Sequence, residues 1–389
     1  MENLSLDMKL IEASEQGDQA SVELLLNEGA SIDYKDAAGR TALMAATQKN
    51  QIAIAKRLIE VGSDVNTRDI TQLSPFICSA ANGFYEITRL MIAGGADLKS
   101  VNRFGGTALL PSSEKGYLKT VEVCIDAGVP VNHVNNLGWS ALLEAVILGN
   151  GGRLYSDIIE TLVQAGADVD LPDRDGFSSL QRAEQNRQHK VLNILQKNFN
   201  ENNEYVKQAK SLAKNDKYEE AISEINHGLE LDAQNLDLIY YKGYFLQELK
   251  RYEEALEQYR SALAIAPDDL DFYFYTANCL RLCKKPEEAL QEYDKACALA
   301  PNETFYRYHK SNYLRELGRH EEAIAEMDKL LYLQPNRYDF SFHKANSLRS
   351  LGKHEEAVQA IENAIKNDPT NPLYHSHKEQ SLELLGRTI

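Results

Sequence analysis

Asn278, Asn312 and Asn346 are each followed three positions later by an arginine, Arg281, Arg315 and Arg349, and the pairs recur with a period of 34. Four residues before each Asn stands a ring, Phe274, Tyr308 and Phe342, with Tyr275, His309 and His343 one place further on. The same register one period earlier reads Tyr240, Tyr241, Tyr244 and Gln247. Offsets of three and four place such residues on one face of a helix. An amide both donates to and accepts from an extended backbone, a guanidinium fork holds carboxylates or carbonyls, and rings pack against side chains. The stripe therefore has the chemistry of a peptide groove. The competing reading is architectural: the arginines would pair with the abundant acids of neighbouring helices, and the Asn would recur with the repeat itself.

Other reactive side chains give weaker signals. His309, His343 and His377 recur with the same period. Equivalent side chains of stacked units stand about 8–10 Å or more apart, too far to share one ion at bonds of about 2 Å, so no metal is expected. Cys279 and Cys283 are one helical turn apart, with Cys297 in the next segment. Zinc would need a fourth ligand and none is evident, so buried packing of small thiols is the expected role. The stretch "GNGGRLYS" at 149–156 has glycines but lacks the Lys-Ser/Thr and the preceding strand of a phosphate loop, and reads as a loop extension. No Ser/His/Asp or Cys/His constellation stands in a suitable context, so no catalytic or cofactor-binding residue is nominated and no enzyme is expected.

The elements that must carry the Asn-x-x-Arg stripe are set by an unbroken period. Ala221, Ala255, Ala289, Ala323 and Ala357 keep the spacing of 34 without a slip, each inside a motif such as "YEEAI" or "HEEAV". Pro267, Pro301, Pro335 and Pro369 share the period and close each second helix, with Ala233 in that place in the first unit. Small residues recur at Gly228, Ala262, Ala296 and Ala364, with Leu330 the exception, leaving room for close helix approach. This pattern resembles the tetratricopeptide repeat (TPR), as five units over about 202–371, followed by a solvating cap helix at 372–389. The resemblance implies that the first helix of each unit lines a concave surface and that an Asn ladder there holds ligand backbone. It also argues against the chaperone-tail ligand of some relatives, because Phe274, Phe342 and Asp339 stand where lysines would be needed.

The preceding residues have a period of 33. Gly29, Gly62, Gly95 and Gly128 keep it, and Gly166 follows after 38; each ends an apolar helical run, as a left-handed C-cap requires. Thr41, Ser74, Thr107, Ser140 and Ser178 precede helical patterns as N-caps. Asp36, Asp69, Asn102, Asn135 and Asp173 stand five residues earlier, usually three before a Gly, as turn formers, with Gln72 breaking the Gly series. Motifs such as "DAAGRTALMAA" and "NNLGWSALLEA" resemble the ankyrin repeat, in about six units over 4–200 including caps. The family's His is absent: Met44, Ile77, Leu110, Leu143 and Gln181 occupy its place. Pro111 and two serines in "ALLPSSEKG" predict a frayed short helix in the fourth unit. Exposed hairpin tips, Tyr34, Arg68, Arg103, Phe104 and Arg174, are the candidate protein-binding residues of this array.

Bulk properties agree with a soluble interaction protein. With 43% apolar and 26% charged residues, the 389-residue chain can bury a sizeable core. Net charge is −7 over residues 1–200 and −9 over 201–389, so neither half suits a nucleic-acid backbone, whereas a basic protein would be drawn in. No signal-like N-terminus or membrane-length apolar run is present, and five scattered cysteines suit a reducing compartment, so a monomer in the cytoplasm is expected. The short polar stretch "KNFNENNEY" predicts a near-rigid junction and one elongated molecule. The fold class expected is all-α, a double solenoid of ankyrin repeats and then a TPR superhelix. The function expected is an adaptor that grips an extended peptide with its second array and a folded surface with its first. The alternative is an acidic inhibitor or immunity-type protein that wraps a basic toxin or enzyme.

Overall fold

A computed structural model describes residues 5–196, 203–367, 369 and 372–386. Described residues are helical apart from turns and one isolated bridge, Val134 to Ser140. The chain divides into two compact units, 1–198 and 199–389. Most of the stretch expected to form a near-rigid junction, 197–202, lies outside the described residues.

The first unit opens with α1 (Leu6–Gln16) and α2 (Gln19–Asn27). Helix pairs follow: α3 (Ala42–Gln48) and α4 (Ile52–Glu60), α5 (Pro75–Ala81) and α6 (Tyr85–Ala93), α7 (Leu109–Glu114) and α8 (Leu118–Ala127). Two more complete it, α9 (Ala141–Leu148) with α10 (Arg153–Gln164) and α11 (Ser179–Gln185) with α12 (His189–Leu195). Each turn before a pair is built by one Asx side chain. Asp36, Asp69, Asn102, Asn135 and Asp173 each accept, through Oδ1, the backbone N–H groups two and four residues on. The third residue after the Asx has a positive φ, and four of the five are glycine. Gln72, at φ 65°, takes that conformation with a Cβ. Gln72→Gly should therefore stabilise the fold by about 0.5–1 kcal/mol, after the glycine's larger unfolded-state entropy is subtracted. A raised urea midpoint at unchanged slope is the expected reading, and an unchanged midpoint would show the strain is absent.

Two sequence expectations are corrected here. Thr41, Ser74, Ser140 and Ser178 cap their helices through the side chain, but Thr107 does not: its hydroxyl is buried without a partner. In the other units the cap carbonyl takes the N–H four residues on, for instance Ala45 to Thr41. Pro111 has no N–H to give, so the Thr107 carbonyl takes the Leu110 N–H instead, at 3.2 Å, and the hydroxyl is left out. The serines do not fray the helix; Ser112 and Ser113 donate to Ala108 and Leu109 carbonyls and are fully buried. The second correction concerns the five-residue insertion. Relative to α3 and α4, it lengthens α9 by one residue, the loop by one and α10 by three, so most of it is helix. The short loop is tied down by Gln188, whose amide donates to the Val146 and Gly149 carbonyls.

The second unit pairs α13 (Glu204–Ala213) with α14 (Tyr218–Leu231), α15 (Leu236–Glu248) with α16 (Tyr252–Ile265), and α17 (Leu270–Leu282) with α18 (Pro286–Leu299). The pairs α19 (Thr304–Glu316) with α20 (His320–Leu333) and α21 (Tyr338–Ser350) with α22 (His354–Asn367) follow, and α23 (Pro372–Leu384) ends the stack. Ala221, Ala255, Ala289, Ala323 and Ala357 are fully buried where the paired helices meet. A third small and buried position, Gly243, Ala277, Ser311 and Ala345, was missed in the sequence. A Cβ on Gly243 would stand 2.4 Å from the Tyr259 ring. On the outer surface the "EEA" acids meet the basic residue ahead of them: Arg251 bridges Glu219 and Glu254, and Arg319 bridges Glu287 and Glu322. One member of each pair comes from the preceding unit, so the motif couples neighbours as well as favouring helix N-termini.

Candidate functional site

The odd-numbered helices α15, α17, α19 and α21 carry the stripe, but they do not present all of it. The ring of each unit packs on the residue one place further on in the next unit. Tyr240 meets Tyr275 at 4.7 Å, Phe274 meets His309 at 4.9 Å, Tyr308 meets His343 at 5.8 Å and Phe342 meets His377 at 4.9 Å between centroids. Tyr240, Tyr241, Phe274, Tyr275, Tyr308, His309 and Phe342 are buried, so the expectation that these rings would pack a ligand's side chains is corrected. Burial between helices is where so much apolar area is most stabilising, and nothing in a 3.6-residue pattern distinguishes that face from its neighbour. Tyr244 and His343 are partly exposed.

The polar members divide differently. Asn278 is partly exposed, and its Oδ1 accepts from the Tyr293 hydroxyl at 3.0 Å. Gln247 accepts from Tyr259 in the same way one unit earlier. Asn312 accepts from Arg315 at 3.3 Å, whereas the amide nitrogen of buried Asn346 has no partner. The architectural reading holds for one arginine: Arg281 reaches Glu316 at 3.3 Å and lies over the Tyr313 ring. Arg315 donates to Nδ1 of His343 at 2.9 Å. Arg349 donates to Nδ1 of His377 and to Oε1 of Gln380 at 2.8 Å. Burial pushes the Arg349 pKa down. His343 and His377 are thus acceptors for the arginines of the preceding unit, His309 packs against rings instead, and no described group of three or more His, Cys, Asp or Glu could hold a metal ion. All five cysteines are free thiols, four of them buried, and burial pushes Cys78 and Cys124 up to about 12.

Residues 8–69 and 76–173 each match a family model described as ankyrin repeats (3 copies), and residues 206–269, 249–304 and 308–372 match the tetratricopeptide repeat. The chain carries ankyrin repeats followed by tetratricopeptide repeats. A solved ankyrin repeat domain from Acinetobacter baumannii AYE is 46% identical, over 49% of this chain and 96% of that one, at a TM-score of 0.48. A second solved ankyrin repeat protein is 34% identical, over 50% and 98% of the chains, at 0.48. A chain from the structure of a predatory endopeptidase of Bdellovibrio bacteriovorus in complex with an immunity protein is 24% identical, over 49% and 98%, at 0.44. No curated protein matches the chain.

On the ankyrin array the hairpin tips are at the surface to different degrees. Tyr34 and Arg174 are exposed, and Arg174 lies across Gly138 of the preceding hairpin. Arg103 stacks on the Phe104 ring at 4.9 Å, and both are partly buried. Arg68 is half-buried, with its carbonyl accepting from Lys35. Ile70, 68% exposed at a tip, was missed because a single apolar residue in a turn carries no periodic signal.

Behind these tips, α9 holds a buried carboxyl. Glu144 Oε1 accepts from Asn135 Nδ2 at 2.8 Å, and Oε2 has no partner. Burial, then the Glu114 carboxylate, push its pKa well above the usual carboxylate range, against the lowering effect of Asn135. A raised folded-state pKa means that full stability is kept below the unfolded value, about 4.3, and lost as pH rises through the folded value. Glu144→Gln should remove that loss, so the variant gains on wild type steadily as pH is raised. Urea midpoints of both proteins across mildly acidic to mildly alkaline pH would check it; parallel curves would refute it.

Proposed function

We propose that the protein is a non-enzymatic adaptor with two protein-binding surfaces. Ankyrin and tetratricopeptide repeats are protein-interaction modules, and both are present in one chain. The observation that carries the finer reading is that Asn278, Arg281, Asn312, Arg315 and Arg349 keep exposed surface in register, while the rings beneath them fix the helices that hold them. An extended segment laid along these helices would have its backbone bracketed by the amides and its carbonyls or carboxylates held by the guanidiniums. Tyr34, Ile70 and Arg174 supply a separate exposed surface for a second, folded partner. Free buried thiols suit a reducing compartment such as the cytoplasm. No described helix is long and apolar enough to cross a membrane.

The test is affinity capture with three proteins: wild type, Asn312→Ala/Arg315→Ala/Arg349→Ala, and Tyr34→Ala/Ile70→Ala/Arg174→Ala. The adaptor reading expects each variant to lose a different partner while keeping the other. The net charge of −16 favours one other reading, an inhibitor that wraps a basic protein. That reading expects one partner, retained by both variants and released steeply by salt.

A further inference from the structure

In the ankyrin unit, the loops that follow the second helix of each pair are joined by a ladder of Asx side chains. Asp33, after α2, accepts the Asp64 N–H of the loop after α4 at 3.3 Å. Asn66 accepts the Asp97 N–H of the loop after α6 at 2.8 Å and donates to the Gly95 carbonyl at 3.2 Å. Asn132 makes the same two bonds to Asp168 and Gly166 of the loop after α10, at 2.8 and 3.2 Å. The rung between the loops after α6 and α8 is the exception. Its residues are Lys99 and Pro130, a side chain without an acceptor and a backbone without an N–H, so the bond cannot form there. Two more defects flank the same junction. In the α5–α6 pair, Gln72 holds φ 65° where the other hairpins have glycine. In the α7–α8 pair, the Thr107 hydroxyl is buried without a partner, and Pro111 withholds an N–H from the first turn of α7, a helix of six residues. Beyond it the next pair is held again: Tyr155 donates to the Glu114 carbonyl at 2.7 Å, and the Asn136 N–H to the Phe104 carbonyl at 2.9 Å.

We infer that the ankyrin unit carries a joint between α6 and α7, at which residues 5–99 and residues 100–196 open as separate blocks. The stability of a repeat array is the sum of what each repeat contributes alone and what it gains from its neighbours. Cooperativity breaks first where the neighbour contribution is smallest and the flanking repeats are least stable by themselves. The missing rung lowers the neighbour contribution at this junction. The strained Gln72 turn and the unpaired Thr107 hydroxyl lower the intrinsic stability on its two sides. Each block keeps a core of its own, with Leu10, Leu43 and Phe76 in one and Leu109, Leu142 and Val191 in the other, so neither has to unfold when the other does. Across the joint the Tyr117 ring lies against Gly83, which lacks a side chain to interlock with it. A partner touching both blocks would hold the joint shut, and its affinity would include the free energy of closing it.

The experiment is hydrogen exchange of the full-length protein in mild urea, read by mass spectrometry, which reports block-wise opening. Leu58 on α4 is fully buried in the first block. Leu58→Ala is expected to speed exchange at least about tenfold in α3 to α6 and to leave α9 to α12 unchanged. Ile54→Val, a smaller deletion on the same helix, gives the same reading should Leu58→Ala not fold. Lys99→Asn/Pro130→Asp supplies the missing rung, and in that background the effect of either deletion is expected to reach α9 to α12 as well. Equal acceleration in both blocks of the otherwise unaltered protein would show one cooperative array and overturn the inference. A boundary found at another pair of helices would overturn it too, as would one between α6 and α7 that persists unchanged once the rung is restored.

Discussion

Replacing Phe274 with alanine is expected to lower the stability of the tetratricopeptide unit by about 3–5 kcal/mol, the range for truncating a buried aromatic ring. The ring is 1% exposed and touches two helices besides its own. Its centroid is 4.9 Å from both Phe305 and His309 on α19 and 6.3 Å from Tyr293 on α18. Deleting it leaves a void between consecutive units, and a repeat array holds together only through such neighbour contacts. The measurement is urea unfolding followed by far-UV circular dichroism. A loss no larger than that of an ordinary surface substitution, about 0.5 kcal/mol, with partner binding abolished, would return the ring to the groove as a ligand contact. The same comparison at Arg349 should give the opposite result, with little change in stability and a large one in binding. The two variants together separate the residues that build the face from those that use it.

Glu326→Gln is expected to cost about 3 kcal/mol, as breaking a buried ion pair does. The α20 carboxylate is 5% exposed and accepts from Arg307 Nη1 at 2.6 Å, Lys310 Nζ at 3.0 Å and Lys329 Nζ at 3.0 Å. Lys310 also reaches Asp294 of α18 at 2.6 Å, which ties one unit to the next. Neutralising Glu326 leaves Arg307 and Lys310 with too little negative charge in a site that water scarcely enters. Burial pushes the Glu326 carboxyl up, but Arg307, Lys329 and Lys310 outweigh it and hold its pKa below the ordinary range. A depressed folded-state pKa gives stability that is present above the unfolded value and lost as pH falls through the folded one. The difference between wild type and Glu326→Gln should therefore shrink on acidification below about pH 4. Chemical unfolding at neutral and acidic pH would check both parts, and a constant gap would show that the cluster does not titrate as argued. Lys310 moves the other way: burial lowers its pKa, and Asp294 with Glu326 raises it by more. Its share of stability is accordingly kept up to alkaline pH.

The sequence alone determined the repeat units, because their signals are local. The Asx turns, the glycine C-caps and the buried alanines of "EEA" act within a few residues of themselves, and spacings of 33 and 34 repeat those local demands. Where a local rule failed, another local atom caused it: Pro111 lacks one N–H, so Thr107 lost its role as a cap. Only the tertiary structure decided which face of α15, α17, α19 and α21 is buried. Offsets of three and four group side chains correctly but give no sign of which group a neighbouring unit covers. The aromatic rings, with the most apolar area to remove from water, went between the units, and the guanidiniums, costly to desolvate, stayed at the edge. Partner choice was likewise beyond local reading. Glu316 for Arg281, and His377 with Gln380 for Arg349, lie 28 to 35 residues away and become neighbours only when the units stack.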